Sequence, residues 1–140
     1  MTALSSSCIF CKIIDGTAQS SDIYRDDDCI AFLDLHPVNA GHALVCPTRH
    51  VTSFTDLKAK ESEAILGVAQ RIARAQKMML PGCSGVNLIL SDGEVAGQEV
   101  PHAHFHVVPR EDGDGFGWRR FGRQSNREDL DSIATKLSDL

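Results

Sequence analysis

No stretch of this chain approaches the roughly 20 consecutive apolar residues that span a bilayer, and Met1 to Ser7 lacks the hydrophobic run of a secretory leader. These two absences predict a cytoplasmic protein with no membrane partner. Basic charge is scarce as well: 14 Lys and Arg stand against 19 Asp and Glu, a formal charge of -5. A protein that grips a nucleic-acid backbone carries a positive footprint, so that class is set aside. Arg119-Arg120-Phe121-Gly122-Arg123 is a local basic patch and no more. Five cysteines, an odd number, do not make the paired framework of a small secreted domain. Cys29 and Cys46 sit inside apolar runs, where a thiol behaves as a small hydrophobe. No repeat or low-complexity tract divides the 140 residues, a length that predicts one domain over 1–140.

What the chain does have is a concentration of imidazole. Three of its six histidines, His102, His104 and His106, fall at every second position of Pro101-His102-Ala103-His104-Phe105-His106-Val107-Val108-Pro109. On a strand, alternate side chains leave the same face. The spacing thus predicts a strand over His102–Pro109 with three imidazoles on one surface and Ala103, Phe105 and Val107 on the other. Imidazole acts as nucleophile, proton carrier or metal ligand near neutral pH, which makes this row the place to look for chemistry.

Around the row, the pattern is strand-rich with one long helix. Ile65, Val68, Ala69, Ile72, Ala75 and Met79 recur at helical spacing within Leu57 to Met79. Thr55 or Asp56 is the expected cap and Pro81-Gly82 the stop. Further strands are expected at Ile23-Tyr24, Cys29–Leu33, Ala43–Pro47 and Val86–Ser91, with turns at Asn39-Ala40-Gly41 and Ser91-Asp92-Gly93. Glu128 to Leu140 is expected to form a last helix with Leu130, Ile133, Ala134 and Leu137 on one side. Short consecutive strands, only one pair separated by a helix, favour an antiparallel α+β sheet.

The His-x-His-x-His row followed by two apolar positions resembles the signature of the histidine triad (HIT) family. Ala96-Gly97-Gln98-Glu99-Val100-Pro101 before it and Pro109-Arg110 after it extend the likeness. Cys8-Ile9-Phe10-Cys11-Lys12-Ile13-Ile14, Asp28-Cys29-Ile30-Ala31-Phe32-Leu33-Asp34 and Gly41-His42-Ala43-Leu44-Val45-Cys46-Pro47 carry it over residues 8–116, leaving 117–140 as a tail. Gly113-Asp114-Gly115-Phe116-Gly117-Trp118 is similar to the bacterial Hit-type branch. The resemblance implies a five-stranded antiparallel sheet with one long helix, short N- and C-terminal helices, and a two-fold homodimer. It also implies a purine nucleotide or nucleotide conjugate as substrate, a dinucleoside polyphosphate or a nucleoside phosphoramidate, attacked at the α-phosphate.

In that reading His104 is the nucleophile that becomes nucleotidylated, an activity suited to a neutral imidazole. A backbone carbonyl is expected to hold its other nitrogen, and His106 is expected to donate to phosphate oxygen. Gln98 takes the family's place for a side-chain amide at the bridging oxygen or attacking water. Gly97 and Glu99 are expected to offer backbone N–H groups to the phosphate. Glu99 stands where many relatives have Ser or Thr, and Ser91 where they often have Asn. Asp34 matches the ribose-binding carboxylate, with Phe10, Ile13, Phe32 and Leu35 as an apolar slot for the base and His36 at its border.

Cys8-x-x-Cys11 offers two thiolates at a spacing that fits one tetrahedral metal, and His50 and His102 are candidates for the other two ligands. A cytosolic dithiol is equally at home in redox chemistry. The resemblance selects a closed structural zinc site of Cys8, Cys11, His50 and His102. Two other functions compete with the nucleotidyl-histidine route. One is a metal-dependent hydrolase that uses His102, His104 and His106 as ligands of a single ion. The other is a nucleotide-sensing module with little turnover.

Overall fold

The computed structural model describes residue 5, residues 7–117 and residues 122–140. Trp118 and the Arg119-Arg120-Phe121 part of the basic patch lie outside the described residues. The elements run α1 (Ile9–Asp15), β1 (Asp22–Arg25), β2 (Cys29–Leu33), β3 (Ala43–Pro47), α2 (Ala59–Met79), β4 (Gly85–Leu90), β5 (Phe105–Arg110) and α3 (Arg127–Leu137). The five strands form one antiparallel sheet in the order β1-β2-β3-β5-β4. This is the α+β architecture that the strand spacing and the resemblance imply. Among the described residues, no helix is long and apolar enough to cross a membrane.

Two-residue alternation splits the core into two layers. Cys29, Ala31, Ala43, Val45 and Val107 face Ile65, Val68, Ala69 and Ile72 of α2. Their immediate neighbours Ile30, Phe32, Leu44 and Cys46 face the other way, onto Cys8, Phe10, Cys11 and Ile13 of the N-terminal segment. Because both faces of β2 and β3 are covered, those strands read as continuous apolar runs rather than as alternating ones.

The structure corrects several sequence expectations. His102 and His104 are not on the strand, which begins at Phe105. Pro101 has no N–H for a ladder, the His102 N–H turns back to the Val100 carbonyl, and the Ala103 N–H donates to the Val51 carbonyl at 2.7 Å. The segment therefore docks beside Val51 before entering the sheet. The long helix begins at Ala59, not Leu57, since Ser53, Thr55 and Asp56 belong to a separate 3-10 turn. Glu61 caps α2 instead, accepting from the Lys58 N–H at 2.8 Å while pairing with Arg49. At its far end the buried stripe turns through Gln76, leaving Ala75 and Met79 exposed. The last helix starts one residue earlier than expected, capped by Asn126, and Leu130, Ile133 and Leu137 are exposed in the isolated chain.

Candidate functional site

One cleft of about 1140 Å³ opens on the α1 side of the sheet. It brings together Phe10, Ile13, Phe32, Asp34, Leu35, Ser91, Gly97, Gln98, Glu99, His104 and His106, with His36 also on its wall. Residues that lie up to ninety-six positions apart in sequence thus share one wall. Phe10 and Phe32 meet edge to face at 5.3 Å, and the Phe10 ring stands 5.0 Å from that of His104. Leu35 is 86% exposed, so it edges the slot rather than filling it.

The nitrogens of His104 have separate tasks. Nδ1 lies 2.7 Å from the His102 carbonyl oxygen, which can only accept, so Nδ1 carries the proton. Nε2 keeps its lone pair. Burial lowers the pKa of the ring below its ordinary value and keeps it neutral, the form a nucleophile needs.

His106 is set by a residue that the sequence motif did not single out. The Val38 N–H donates to His42 Nδ1 at 3.0 Å, so the proton of neutral His42 is on Nε2. That Nε2–H lies 2.9 Å from His106 Nδ1, which must accept. The proton of His106 is then on Nε2, directed away from His42. Burial is the main cause that pushes His106 down to about 4, and it lowers His42 as well, against the pull of Asp34. Asp34 accepts from the His36 N–H at 2.9 Å through Oδ1, while Oδ2 stands 3.5 Å from His42 Nε2 and 3.9 Å from His106 Nδ1. The signal for His42 was present: an imidazole heading the buried run Ala43–Pro47, on the same face as Leu44 and Cys46.

The loop before the triad is more self-contained than expected. The Gly97 N–H donates to the Glu94 carbonyl at 2.9 Å and the Gln98 N–H to the Gly93 carbonyl at 3.1 Å. Gln98 Nε2 donates to the carbonyls of Thr52 and Val100 at 2.9 and 3.1 Å, and its Oε1 accepts from the Gly93 N–H at 2.8 Å. Gln98 thereby braces the loop with both ends of its amide. Of the three backbone N–H groups in Gly97-Gln98-Glu99, only that of Glu99 finds no acceptor among the described residues.

A second constellation lies behind the cleft. Cys8 heads α1 and its Sγ accepts from the Cys11 N–H, so both thiols belong to one helical turn. His102 is fully buried and turns its ring into this cluster. Its Nε2–H donates to the Pro47 carbonyl at 2.8 Å, leaving Nδ1 bare at 3.5 Å from Cys8 Sγ and 3.6 Å from Cys11 Sγ. His50 Nδ1 is 3.2 Å from Cys11 Sγ, and all four donor atoms lie within 4.8 Å of one another. Zinc–sulfur bonds of about 2.3 Å and zinc–nitrogen bonds of about 2.0 Å at tetrahedral angles give sulfur–nitrogen edges of about 3.5 Å. The cluster has that size. Burial pushes the Cys11 thiol up to about 11 and His102 down to about 4.

The same geometry overturns the idea that His102, His104 and His106 ligate one ion. The His102 ring faces the cysteines, apart from the cleft. Asp34, His42 and His106 do gather within ligand distance of one another. However, His42 already uses Nδ1 to accept the Val38 N–H, so a metal on Nε2 would require an imidazolate.

The HIT domain family model matches residues 15–113. The chain belongs to the HIT family. An uncharacterized HIT-like protein of Borreliella burgdorferi is 43% identical over 122 residues, covering 86% of this chain and 87% of that one. The crystal structure of a HIT family protein from Bacillus anthracis superposes with a TM-score of 0.88 at 38% identity, over 96% of this chain and 97% of its own. A zinc-bound histidine triad family protein from Mycobacterium smegmatis matches with a TM-score of 0.75 at 37% identity, over 94% and 95%. Adenylylsulfatase HINT3 of Arabidopsis thaliana is 30% identical over 136 residues, 97% of this chain and 68% of its own. This HIT protein thus falls in a superfamily of nucleotide-binding proteins and nucleotide hydrolases.

Proposed function

We propose that this HIT protein is a nucleotide hydrolase or nucleotidyl transferase that cleaves a nucleotide conjugate at its α-phosphate through a nucleotidyl-His104 intermediate. The observation that carries the reading is the 2.7 Å bond from His104 Nδ1 to the His102 carbonyl, which leaves a neutral ring with its Nε2 lone pair free. In the first step Nε2 forms a bond to phosphorus as the bond from phosphorus to the leaving group breaks, and the leaving group keeps that electron pair and, when it is an amine, takes up a proton from solvent. His106 Nε2–H donates to the phosphoryl or leaving-group atom as negative charge grows there, a contribution of about 3 kcal/mol when the donor is preorganised. The oxygen of a water then bonds to phosphorus and one of its protons goes to solvent, as the phosphorus–nitrogen bond breaks and its electron pair returns to His104 Nε2.

Phe10, Ile13, Phe32 and Leu35 would flank the base, Asp34 would offer its oxygen to the ribose, and Ser91, Gly97 and Glu99 would lie along the phosphate. Gln98 would support that loop. The described lining contains the carboxylates Asp34 and Glu99 and no lysine or arginine. That balance favours a nucleoside phosphoramidate, with its single phosphate charge, over the more highly charged dinucleoside polyphosphates.

The Cys8, Cys11, His50 and His102 set fits zinc, and a zinc-bound relative supports that choice of metal. With four protein ligands the site would be structural, its part being to hold the N-terminal segment against the catalytic one. A second copy of the chain is the proposed partner, through the face of α2 and β4 where Leu66 and Leu88 are each 48% exposed beside a groove of about 430 Å³.

The decisive experiment is stereochemical. A conjugate with a chiral α-phosphorothioate should give product of retained configuration, because two in-line displacements restore the original arrangement. His104→Ala should abolish turnover and keep nucleotide binding. Inversion would refute the covalent route, and binding without measurable turnover of any adenosine or guanosine conjugate would favour a sensing module.

A further inference from the structure

The apolar stripe of α2 runs Ile65, Val68, Ala69, Ile72 and then meets a buried amide, Gln76, only 4% exposed. Its Nε2 donates twice, to the Gly41 carbonyl and the Val107 carbonyl, each at 2.9 Å. Two carbonyl oxygens fix which end of the amide faces the sheet, since a flip would set oxygen against oxygen. The cost of this arrangement is that Oε1 is buried and finds no partner among the described residues. A leucine or methionine at this position would remove the unpaired Oε1 but would take this donor away from the Gly41 and Val107 carbonyls, so the residue is there for a polar tether between two backbone segments and not for packing.

The two carbonyls belong to the neighbours of two histidines. Gly41 precedes His42 and Val107 follows His106, and these are the rings whose nitrogens meet at 2.9 Å on the opposite face of the sheet. Gly41 is also closely approached by Leu80 from the end of α2. It adopts φ +96°, and an added Cβ would lie 2.4 Å from Leu80. The His42 N–H donates to the Asn39 carbonyl at 3.0 Å, and its own carbonyl accepts from the Asp34 N–H at 2.9 Å. Gln76 adds to the β3–β5 ladder, which pairs Ala43 with Val107 and Leu44 with His106, a side chain that bonds to the backbone beside both histidines.

We propose that Gln76 is a positioning residue for the reaction, holding the His42 and His106 backbones at the spacing that lets the two rings share a proton-ordering hydrogen bond. The inference rests on the nucleotidyl-histidine reading for its effect on turnover, and on geometry alone for its effect on the rings. Hydrogen bonds from N–H donors keep to about 2.7–3.2 Å and weaken steeply as they bend below about 120°. A strand shift of a few tenths of an ångström is enough to disorder the His106 donor.

Gln76→Met and Gln76→Leu remove both donors while keeping the volume. Each should lower kcat roughly tenfold with KM within about twofold, as expected when a reacting group is misplaced and the substrate-binding surface is intact. In a His42→Ala background the same substitutions should change kcat by less than about twofold, since the hydrogen bond they support is already gone. Nitrogen-15 spectra of the imidazoles give a readout independent of turnover. His42 Nε2–H should be protected from solvent exchange in the natural chain and exchange at least about tenfold faster in Gln76→Met. Full kcat in a folded Gln76→Met protein, equal losses in the two backgrounds, or unchanged exchange would each overturn the proposal. Failure of the covalent mechanism itself would leave the exchange result standing, so the two ideas are separable.

Discussion

Replacing His42 with alanine probes how much the orientation of His106 is worth. The substitution deletes a 2.9 Å bond between the buried His42 ring and the half-buried His106 ring and leaves His106 Nδ1 without its donor. The nearest remaining group is Asp34 Oδ2, 3.9 Å away, and it is an acceptor. It will draw a proton onto Nδ1, so that neutral His106 presents a bare Nε2 to the phosphate in place of an N–H. A preorganised donor at a developing oxyanion contributes about 2.7–4 kcal/mol, or roughly 100- to 1,000-fold in rate. Some molecules will hold a doubly protonated His106 and retain a donor, which places the expected loss in kcat near the lower end, roughly 100-fold. KM should stay within about threefold, because Phe10, Phe32 and the Gly97 loop do not depend on His42. The assay is steady-state release of amine from an adenosine 5′-phosphoramidate, with fold checked by circular dichroism. A kcat within about threefold of the natural chain would refute this account of His106.

In the metal-free protein, His106 is pushed down to about 4 and His42 is lowered from an ordinary value of 6.5, so the unfolded chain takes up protons first as pH falls. Their contribution to stability is complete above pH 6.5 and is lost toward pH 4, so the urea midpoint should decline across that window, and less so in His42→Phe; a midpoint insensitive to pH there would contradict it. The purified protein should carry about one zinc per chain, and Cys8→Ser should lose it along with about 3 kcal/mol of stability, roughly 10 °C in Tm, while affecting kcat far less. Elemental analysis showing no metal, with none taken up on addition, removes the site. Sedimentation should give a particle of twice the 15.2 kDa chain mass, and Leu88→Asp should convert it to the monomer; a single-chain mass for the natural protein would exclude the α2 and β4 interface.

The sequence was most informative where one local rule sufficed. Alternation in Cys29–Leu33 and Ala43–Pro47 and the 3.6-residue rhythm from Ile65 to Ile72 are local, and both faces of the sheet follow from them. The triad spacing located the cleft, and Cys8-x-x-Cys11 located the buried cluster. What was illegible depends on distant partners. Periodicity extended the helical stripe to Met79, but carbonyls of two strands drew Gln76 inward instead. The ladder was expected to include His102 and His104, and a carbonyl from Val51 diverted it. The His102 tautomer is set by Pro47, 55 positions away, and that of His106 by His42, 64 positions away. Spacing in one segment carries no information about such acceptors.

His102 serves two neighbours through different parts of itself: the ring joins Cys8, Cys11 and His50, and the carbonyl holds the His104 ring. A side chain can be exchanged by mutation and a main-chain carbonyl cannot. Substitutions in the cysteine cluster would therefore leave in place the carbonyl tether that, in the proposed reaction, aims His104. Loss of the ring at position 102 would cost stability through the cluster while the main-chain carbonyl beside the cleft stays where it is.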